Sequence, residues 1–400
     1  MKKVIALGLL ISASLFSYGQ ESNAPKFGKG ILNLVGQDST WTMNVSARMQ
    51  ILGTGQWEEN TLGNLTSVGS NFSVRRARLK FKGFAYSPKL KYKIELGLSN
   101  RDLSGASEFT HNAPRYILDA VVMWNFYENF ELWVGQTKLP GNLERTVSSA
   151  NLQLVDRSLL NSKFTIDRDM GVQLHHKIRI SDKFFVREKL SIAQGEGRNV
   201  TRGNLGGYQY TGRLELMPFG LFSSSGEYVG SDLKREKTPK LMLAAAYDLN
   251  NDAVKTRSNQ GNYMFTTDGF YSTDISTVFL DATFKYQGFT FMGEYAHRDA
   301  KDPIAKNGDG SLTGDFVQEG HGLNLMSGYL FKNNWEVTGR YTMAELENNS
   351  IGKNREKQHT LGLSKYIVGH KLKVQTDITY FEETMGSNGF MYRLQLEVHF

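Results

Sequence analysis

From about residue 41 to the C-terminus, the chain is a series of short stretches in which apolar and polar residues alternate. The last stretch is the clearest. From Phe390 to Phe400 the even positions carry Phe, Tyr, Leu, Leu, Val and Phe, and the odd ones Met, Arg, Gln, Glu and His. Period-two alternation makes a β-strand with one apolar and one wet face. Earlier, Arg76, Arg78, Lys80 and Lys82 share one face of the stretch 72–84, with Leu79 and Phe81 on the other. Beyond Tyr86-Ser87-Pro88-Lys89, Leu90, Tyr92, Ile94, Leu96 and Leu98 oppose Lys91, Lys93 and Glu95. Two such strands around a Pro-containing turn form a hairpin.

The same reading gives strands near 41–51, 72–85, 89–99, 115–125, 130–138, 168–178, 183–193, 208–217, 239–248, 275–286, 289–298, 321–331, 334–345, 357–367, 370–381 and 389–400. That is roughly sixteen, each near the ~9–11 residues that cross a bilayer at a tilt. The connections alternate in length. Short turns at 86–89, 127–129, 179–182, 287–288, 332–334 and 368–370 are interleaved with long polar ones such as 249–274, 299–320 and 346–356. Strands that hide an apolar face, with short turns at one end and long loops at the other, predict an all-β fold. It is a transmembrane antiparallel β-barrel of about 16 strands, closed because lipid cannot satisfy a free sheet edge. Residues 218–238 are long where a short turn is due, and are expected to be an extended periplasmic excursion.

Residues 1–19 read as a signal peptide: Lys2 and Lys3 precede an apolar core, and small residues end at Gly19. Residues 20–40 are a periplasmic lead-in, with a short extra strand expected at Ile31–Val35, and 41–400 form the barrel. Mean hydropathy is −0.40, and past the signal no apolar run reaches the ~18 residues of a membrane helix. The absence of cysteine removes disulfides, iron–sulfur clusters and cysteine zinc sites. The formal charge is +7.

Catalytic and nucleotide-binding motifs are missing: no H-E-x-x-H, G-x-S-x-G or Walker A sequence occurs. His175 and His176 are neighbours on a strand and point to opposite faces, so they do not chelate one ion. Asn307-Gly308-Asp309-Gly310 lacks the later acidic ligand of a calcium loop and reads as a surface turn. A hydrolase would need a His–Ser pair, and the strand histidines His176 and His359 have no evident partner. No enzyme activity, cofactor, metal or nucleic acid is expected.

Function is therefore sought in the lumen. Its inward faces collect Arg76, Arg78, Lys80, Lys82, Lys91, Lys93, Arg187, Lys189 and Arg213. Cations along a wet channel concentrate anions. Pairing with Glu95, Asp119, Glu131, Glu215 or Asp377 would reduce that field. The third outer connection, Pro140 to Asp167, carries Leu152, Leu154, Val155, Leu159 and Leu160 and is too apolar to stand in water. It is expected to fold inward and narrow the pore, with Arg145, Arg157, Lys163 and Arg168 near the constriction.

Arg75-Arg76-Ala77-Arg78-Leu79-Lys80, the Ser87-Pro88 turn and Tyr92-Lys93 resemble the phosphate-selective porin O and P family. So do Val134-Gly135-Gln136-Thr137-Lys138-Leu139-Pro140-Gly141, Glu144-Arg145, Asp156-Arg157-Ser158 and Asp167-Arg168-Asp169-Met170-Gly171-Val172-Gln173-Leu174. Phe27-Gly28-Lys29-Gly30 and Arg48 fit as well. The resemblance implies a 16-stranded outer-membrane porin, usually a trimer, with an inward third loop and a basic ladder. Arg76, Arg78 and Arg145 or Arg157 would be its key positions. Glu144 and Asp156 in the loop depart from a purely basic constriction, which favours a broader pore for small anionic solutes, phosphate among them. The alternative is a surface barrel that binds a partner or carbohydrate through its outer loops.

Overall fold

The computed structural model describes residues 25–202, 204–348 and 352–400; the export signal expected at 1–19 lies outside them. A short strand, β1 (Leu32–Val35), precedes sixteen long ones among the described residues. These are β2 (Thr42–Glu59), β3 (Leu65–Ala85), β4 (Ser87–Gly97), β5 (Ile117–Tyr127), β6 (Phe130–Lys138), β7 (Arg168–Arg179), β8 (Phe185–Ala193) and β9 (Gln209–Met217). The second half holds β10 (Lys240–Ala253), β11 (Thr273–Tyr286), β12 (Phe289–Ala300), β13 (Glu319–Leu330), β14 (Trp335–Asn348), β15 (Gly352–Tyr366), β16 (Leu372–Glu383) and β17 (Gly389–His399). Each pairs antiparallel with its sequence neighbour, and β2 pairs with β17 from Arg48↔His399 to Glu58↔Gly389, closing a 16-stranded barrel. Where β17 runs out, β1 takes over the same edge of β2, Leu32↔Val45 to Val35↔Thr42, so the expected extra strand completes the closure.

The alternation in sequence is an inside–outside alternation in space. In β17, Arg393, Gln395, Glu397 and His399 are buried, whereas Tyr392, Leu394 and Leu396 are 41–43% exposed on the outer face. The Phe400 N–H donates to the Ala47 carbonyl at 2.9 Å, and its ring meets Phe27 of the lead-in edge-on at 5.8 Å. Tyr86, Trp124, Tyr127, Tyr286, Phe289, Phe331 and Trp335 lie exposed beside the short turns, as an aromatic girdle at a membrane interface does.

Two differences from the expected boundaries have one cause. β2 and β3 continue past 51 and begin before 72 because pairing persists from Gly53↔Phe72 to Glu59↔Leu65. Small and polar residues predominate there, with Trp57, Val68 and Phe72 among them in no regular alternation, so hydrogen bonding extends a strand that the hydropathy pattern does not mark. The loops 249–274 and 299–320 contain their own hairpins: Lys255–Arg257 with Gln260–Tyr263, Phe265–Thr266 with Gly269–Phe270, and Ile304–Lys306 with Leu312–Phe316. Asn307–Gly310 is the turn of the last hairpin, where Asp309 Oδ1 accepts the Ser311 N–H at 2.9 Å.

Two segments fill the lumen on the β9–β17 side. The third outer connection carries short helices at Leu143–Thr146 and Leu159–Phe164, the second capped by Ser158 Oγ accepting the Asn161 N–H. Leu159, Leu160, Phe164 and Ile166 pack on inward-facing Ala246, Phe279, Ala296 and Ala344. Leu143, Val147, Leu152 and Leu154 pack on Met217, Met242, Met292 and Met326. Each such side chain contributes roughly 1.5–3 kcal/mol relative to exposure, enough to hold the loop inside. Gly328 and Gly362 make room for it: a Cβ there would lie 2.2 Å from Gln153 Nε2 and 2.2 Å from Leu154 Cδ2, respectively.

The second segment is the excursion between β9 and β10. Counting turns assigns it to the periplasmic end, and the structure turns it inward. Phe222 joins the Met-rich cluster, and the Gly230 N–H donates to the Asn151 carbonyl at the tip of the third loop, 2.7 Å. Lys285 Nζ donates to the carbonyls of Val229 and Ser231 at 2.8 and 2.7 Å, and Asp232 accepts the Gly288 N–H at 2.8 Å.

Candidate functional site: the open side of the lumen

With one side of the barrel occupied, the free space lies along β3–β8. It is a cavity of about 630 Å³ bounded by those strands, the third loop, and Ser225 and Tyr228 of the excursion. Ten cations line it (Arg78, Lys80, Lys93, Lys138, Arg145, Arg157, Arg168, Lys177, Arg187 and Lys189) against four carboxylates (Glu95, Asp119, Glu128 and Glu131). Every second position of a strand faces one side of a sheet, as Arg78 and Lys80 do in β3 and Arg187 and Lys189 in β8, so the cations form a row rather than a scatter.

All five carboxylates expected to oppose this field do pair. Arg78 grips Asp102 through two bonds of 3.1 Å and reaches Glu95 at 3.1 Å. Asp119 takes Arg168 in a bidentate pair at 3.2 and 3.1 Å and Lys93 at 3.3 Å. Lys189 donates to Glu215 at 2.8 Å, Lys91 meets Glu131 at 4.0 Å, and Arg393 meets Asp377 at 2.6 Å. Four lining cations have no ion pair among the described residues: Lys80, Lys138, Arg157 and Lys177, of which Lys138 and Arg157 lie against the third loop. Lys138 Nζ donates to the Thr146 and Val147 carbonyls, at 3.1 and 3.4 Å. Arg157 donates to the Glu144 and Val147 carbonyls at 2.8 and 2.7 Å. A cation that spends its hydrogen bonds on neutral carbonyls keeps its charge uncompensated.

Of the thirteen candidate residues, eight line the cavity: Arg78, Lys80, Lys93, Arg145, Arg157, Arg168, Arg187 and Lys189. Arg76 is inward but occupied, donating to Gln50 at 2.7 Å and Asp156 at 3.2 Å. Lys82 and Lys91 are exposed near the β3–β4 turn. Arg213 has a fully buried side chain, held by Asp281, Glu215 and the Gly141 carbonyl at 2.6–3.0 Å. Lys163 lies away from the cavity, paired with Glu356, because the Leu159–Phe164 helix turns Phe164 to the wall and leaves Lys163 on the other side.

Three features were missed in the sequence. A β-bulge between Gln50↔Arg76 and Ile51↔Val74 adds Arg75 to the inward face, so Arg75 and Arg76 together clamp Asp156 of the third loop. Lys138 stood within the quoted Val134–Gly141 stretch without being counted. Tyr228 accepts from Lys189 Nζ at 2.6 Å and donates to Glu215. The available signal was the set of methionines and alanines on inward faces of the later strands, which needs something apolar inside the barrel to meet them. His175 stacks on Trp133 at 4.3 Å and His176 on Phe130 at 3.9 Å; His359 lies between Tyr341 and Tyr380.

A closed 16-stranded barrel with an outer loop folded inside it defines an outer-membrane porin. More particularly, the model of the family "Phosphate-selective porin O and P" matches residues 58–384, and the chain belongs to that family. An uncharacterized protein of Aquifex aeolicus is 24% identical over 357 residues, 83% of this chain and 81% of that protein. Among solved structures, a loop-L8 deletion mutant of the Vibrio cholerae outer-membrane protein OmpT superposes with a TM-score of 0.56 at 11% identity, covering 90% of this chain and 100% of that one. The outer-membrane channel DcaP of Acinetobacter baumannii gives 0.54 at 11%, covering 92% and 99%. Salmonella typhi OmpF, in complex with daunomycin, gives 0.56 at 11%, covering 92% and 100%. At this identity the likeness is one of fold.

Proposed function

We propose that this porin conducts small solutes by passive diffusion, preferentially anions such as phosphate, along the β3–β8 side of a lumen narrowed by the third loop. The observation that carries the proposal is the excess of cations over carboxylates on the open path, with Lys138 and Arg157 uncompensated at the loop. In a confined, partly desolvated gap a few such charges outweigh many at the mouth. The paired carboxylates argue for broad anion preference rather than strict phosphate specificity. The working particle is taken as a homotrimer in outer-membrane lipid, reached after cleavage of the signal over residues 1–19; one solved Vibrio cholerae OmpT form, similar in fold, is described as a trimer. Reversal potentials in planar bilayers under a potassium chloride gradient test the proposal. A potential of the anion-selective sign is expected, and a clear cation preference refutes it.

A further inference from the structure

Beyond the lumen, the outer loops enclose a second cavity of about 670 Å³, lined by parts of the 98–116, 194–208 and 254–272 connections. Three cations face it: Arg115, Arg198 and Lys255. Among the described residues none has a carboxylate partner. Arg198 donates to the Asp102 carbonyl at 2.9 Å, Lys255 donates to the Glu196 carbonyl at 2.5 Å, and Arg115 has no side-chain bond, its Nε being buried and unpartnered. The Tyr263 hydroxyl is likewise buried without a partner. Of the two acidic residues on the rim, Glu108 is paired with Arg202 at 3.1 Å, which leaves Asp315. Buried donors and mutually repelling cations are a costly arrangement unless an anion joins them.

Three aromatic side chains share the wall with small and polar residues. Phe109, Tyr263 and Phe265 line the cavity, with Phe109 and Tyr263 at 4.2 Å between centroids and the Lys255 ammonium 4.4 Å from the Tyr263 centroid. Phe109 is buried as the cluster's base, while Phe265 is 51% exposed and offers a free ring face. A simple inorganic anion would use the cations and leave these rings wet. A flat ring carrying an anionic headgroup would use both. One residue joins the site to the lumen row: Asp102, whose carbonyl accepts from Arg198, has its carboxylate held by Arg78.

We infer that this outer vestibule is a binding site for aromatic anions, with Arg115, Arg198 and Lys255 holding the headgroup and Phe265 and Tyr263 the ring. The inference does not depend on conduction, so binding is measured directly. The full-length protein in detergent is titrated calorimetrically with benzenesulfonate, cyclohexanesulfonate and methanesulfonate, three monoanions with one headgroup. Benzenesulfonate is expected to bind at least about tenfold more tightly than the other two. Phe265→Ala should bring it down to the level of cyclohexanesulfonate, and Arg115→Gln should weaken it by about tenfold, each with unchanged thermal unfolding. Equal affinities for the three anions, or wild-type binding by the Arg115→Gln protein, would overturn the assignment whatever the bilayer currents show.

Discussion

Reversing one charge at the third loop gives the sharpest test of the lumen. Arg157 borders the open cavity, donates only to the Glu144 and Val147 carbonyls, and has no ion pair among the described residues. Arg157→Glu therefore breaks no salt bridge and replaces an uncompensated +1 by −1. For a monovalent ion passing at ~5 Å in a water-like dielectric, each unit charge contributes about 0.8 kcal/mol, so the reversal is worth about 1.7 kcal/mol. That corresponds to a factor of roughly 15–20 in local anion occupancy, reduced to about fivefold by screening at physiological salt. The assay is the zero-current potential of single channels across a potassium chloride gradient, with unitary conductance recorded in the same membranes. The expected result is a shift toward or past cation selectivity with little change in conductance. Lys163→Gln is the matched control: Lys163 is paired with Glu356 away from the cavity and should leave the potential where it was. An unmoved potential in Arg157→Glu, or an equal shift in Lys163→Gln, would refute the assignment of selectivity to the uncompensated loop cation.

Further outcomes follow from the packing inside the barrel. Gly362→Val places a side chain where Leu154 Cδ2 already sits 2.2 Å from an added Cβ, so unfolding should cost about 1–3 kcal/mol less by thermal melting, or the loop tip should be displaced and conductance rise. Replacing residues 221–233 by a short Gly-Ser turn removes Phe222 and Tyr228 from the lumen, and single-channel recordings should show a clearly larger conductance; an unchanged value would mean that the excursion does not border the path. In the outer vestibule, burial pushes Lys255 down to about 8 and Glu196 up to about 7, with Arg115, Asp169 and Tyr263 as their other charged or titratable neighbours. Between pH 6 and pH 9 the lysine loses its positive charge and the glutamate gains a negative one, so benzenesulfonate affinity should fall as pH rises, and a flat profile by calorimetry would contradict this.

The lumen-facing charges also show why site residues are harder to read than strands. Arg76 and Arg78 are the most conspicuous cations in the sequence, yet both are tied to carboxylates or amides: Arg76 to Asp156 and Gln50, Arg78 to Asp102 and Glu95. Lys138 and Arg157 are less conspicuous, yet they carry uncompensated charge at the third loop. Period-two alternation says which way a side chain points, but the partner that neutralises it comes from a loop distant in the chain, as Asp156 does for Arg76 and Glu144 for Arg340.

The sequence alone determined the barrel, its strand count, its short-turn and long-loop ends, the short lead-in strand, and the inward direction of the third loop. Each of these follows from local rules: alternation selects a strand and its wet face, and an apolar loop cannot remain in water. The tertiary structure decided which side of the lumen stays open. That depended on where the inward methionines and alanines of β9–β14 meet the loop and the excursion, and on a bulge at Arg75 that sets two arginines on one aspartate. Such contacts join residues far apart in the chain, and their energies depend on shape and distance, which no periodicity along the sequence encodes.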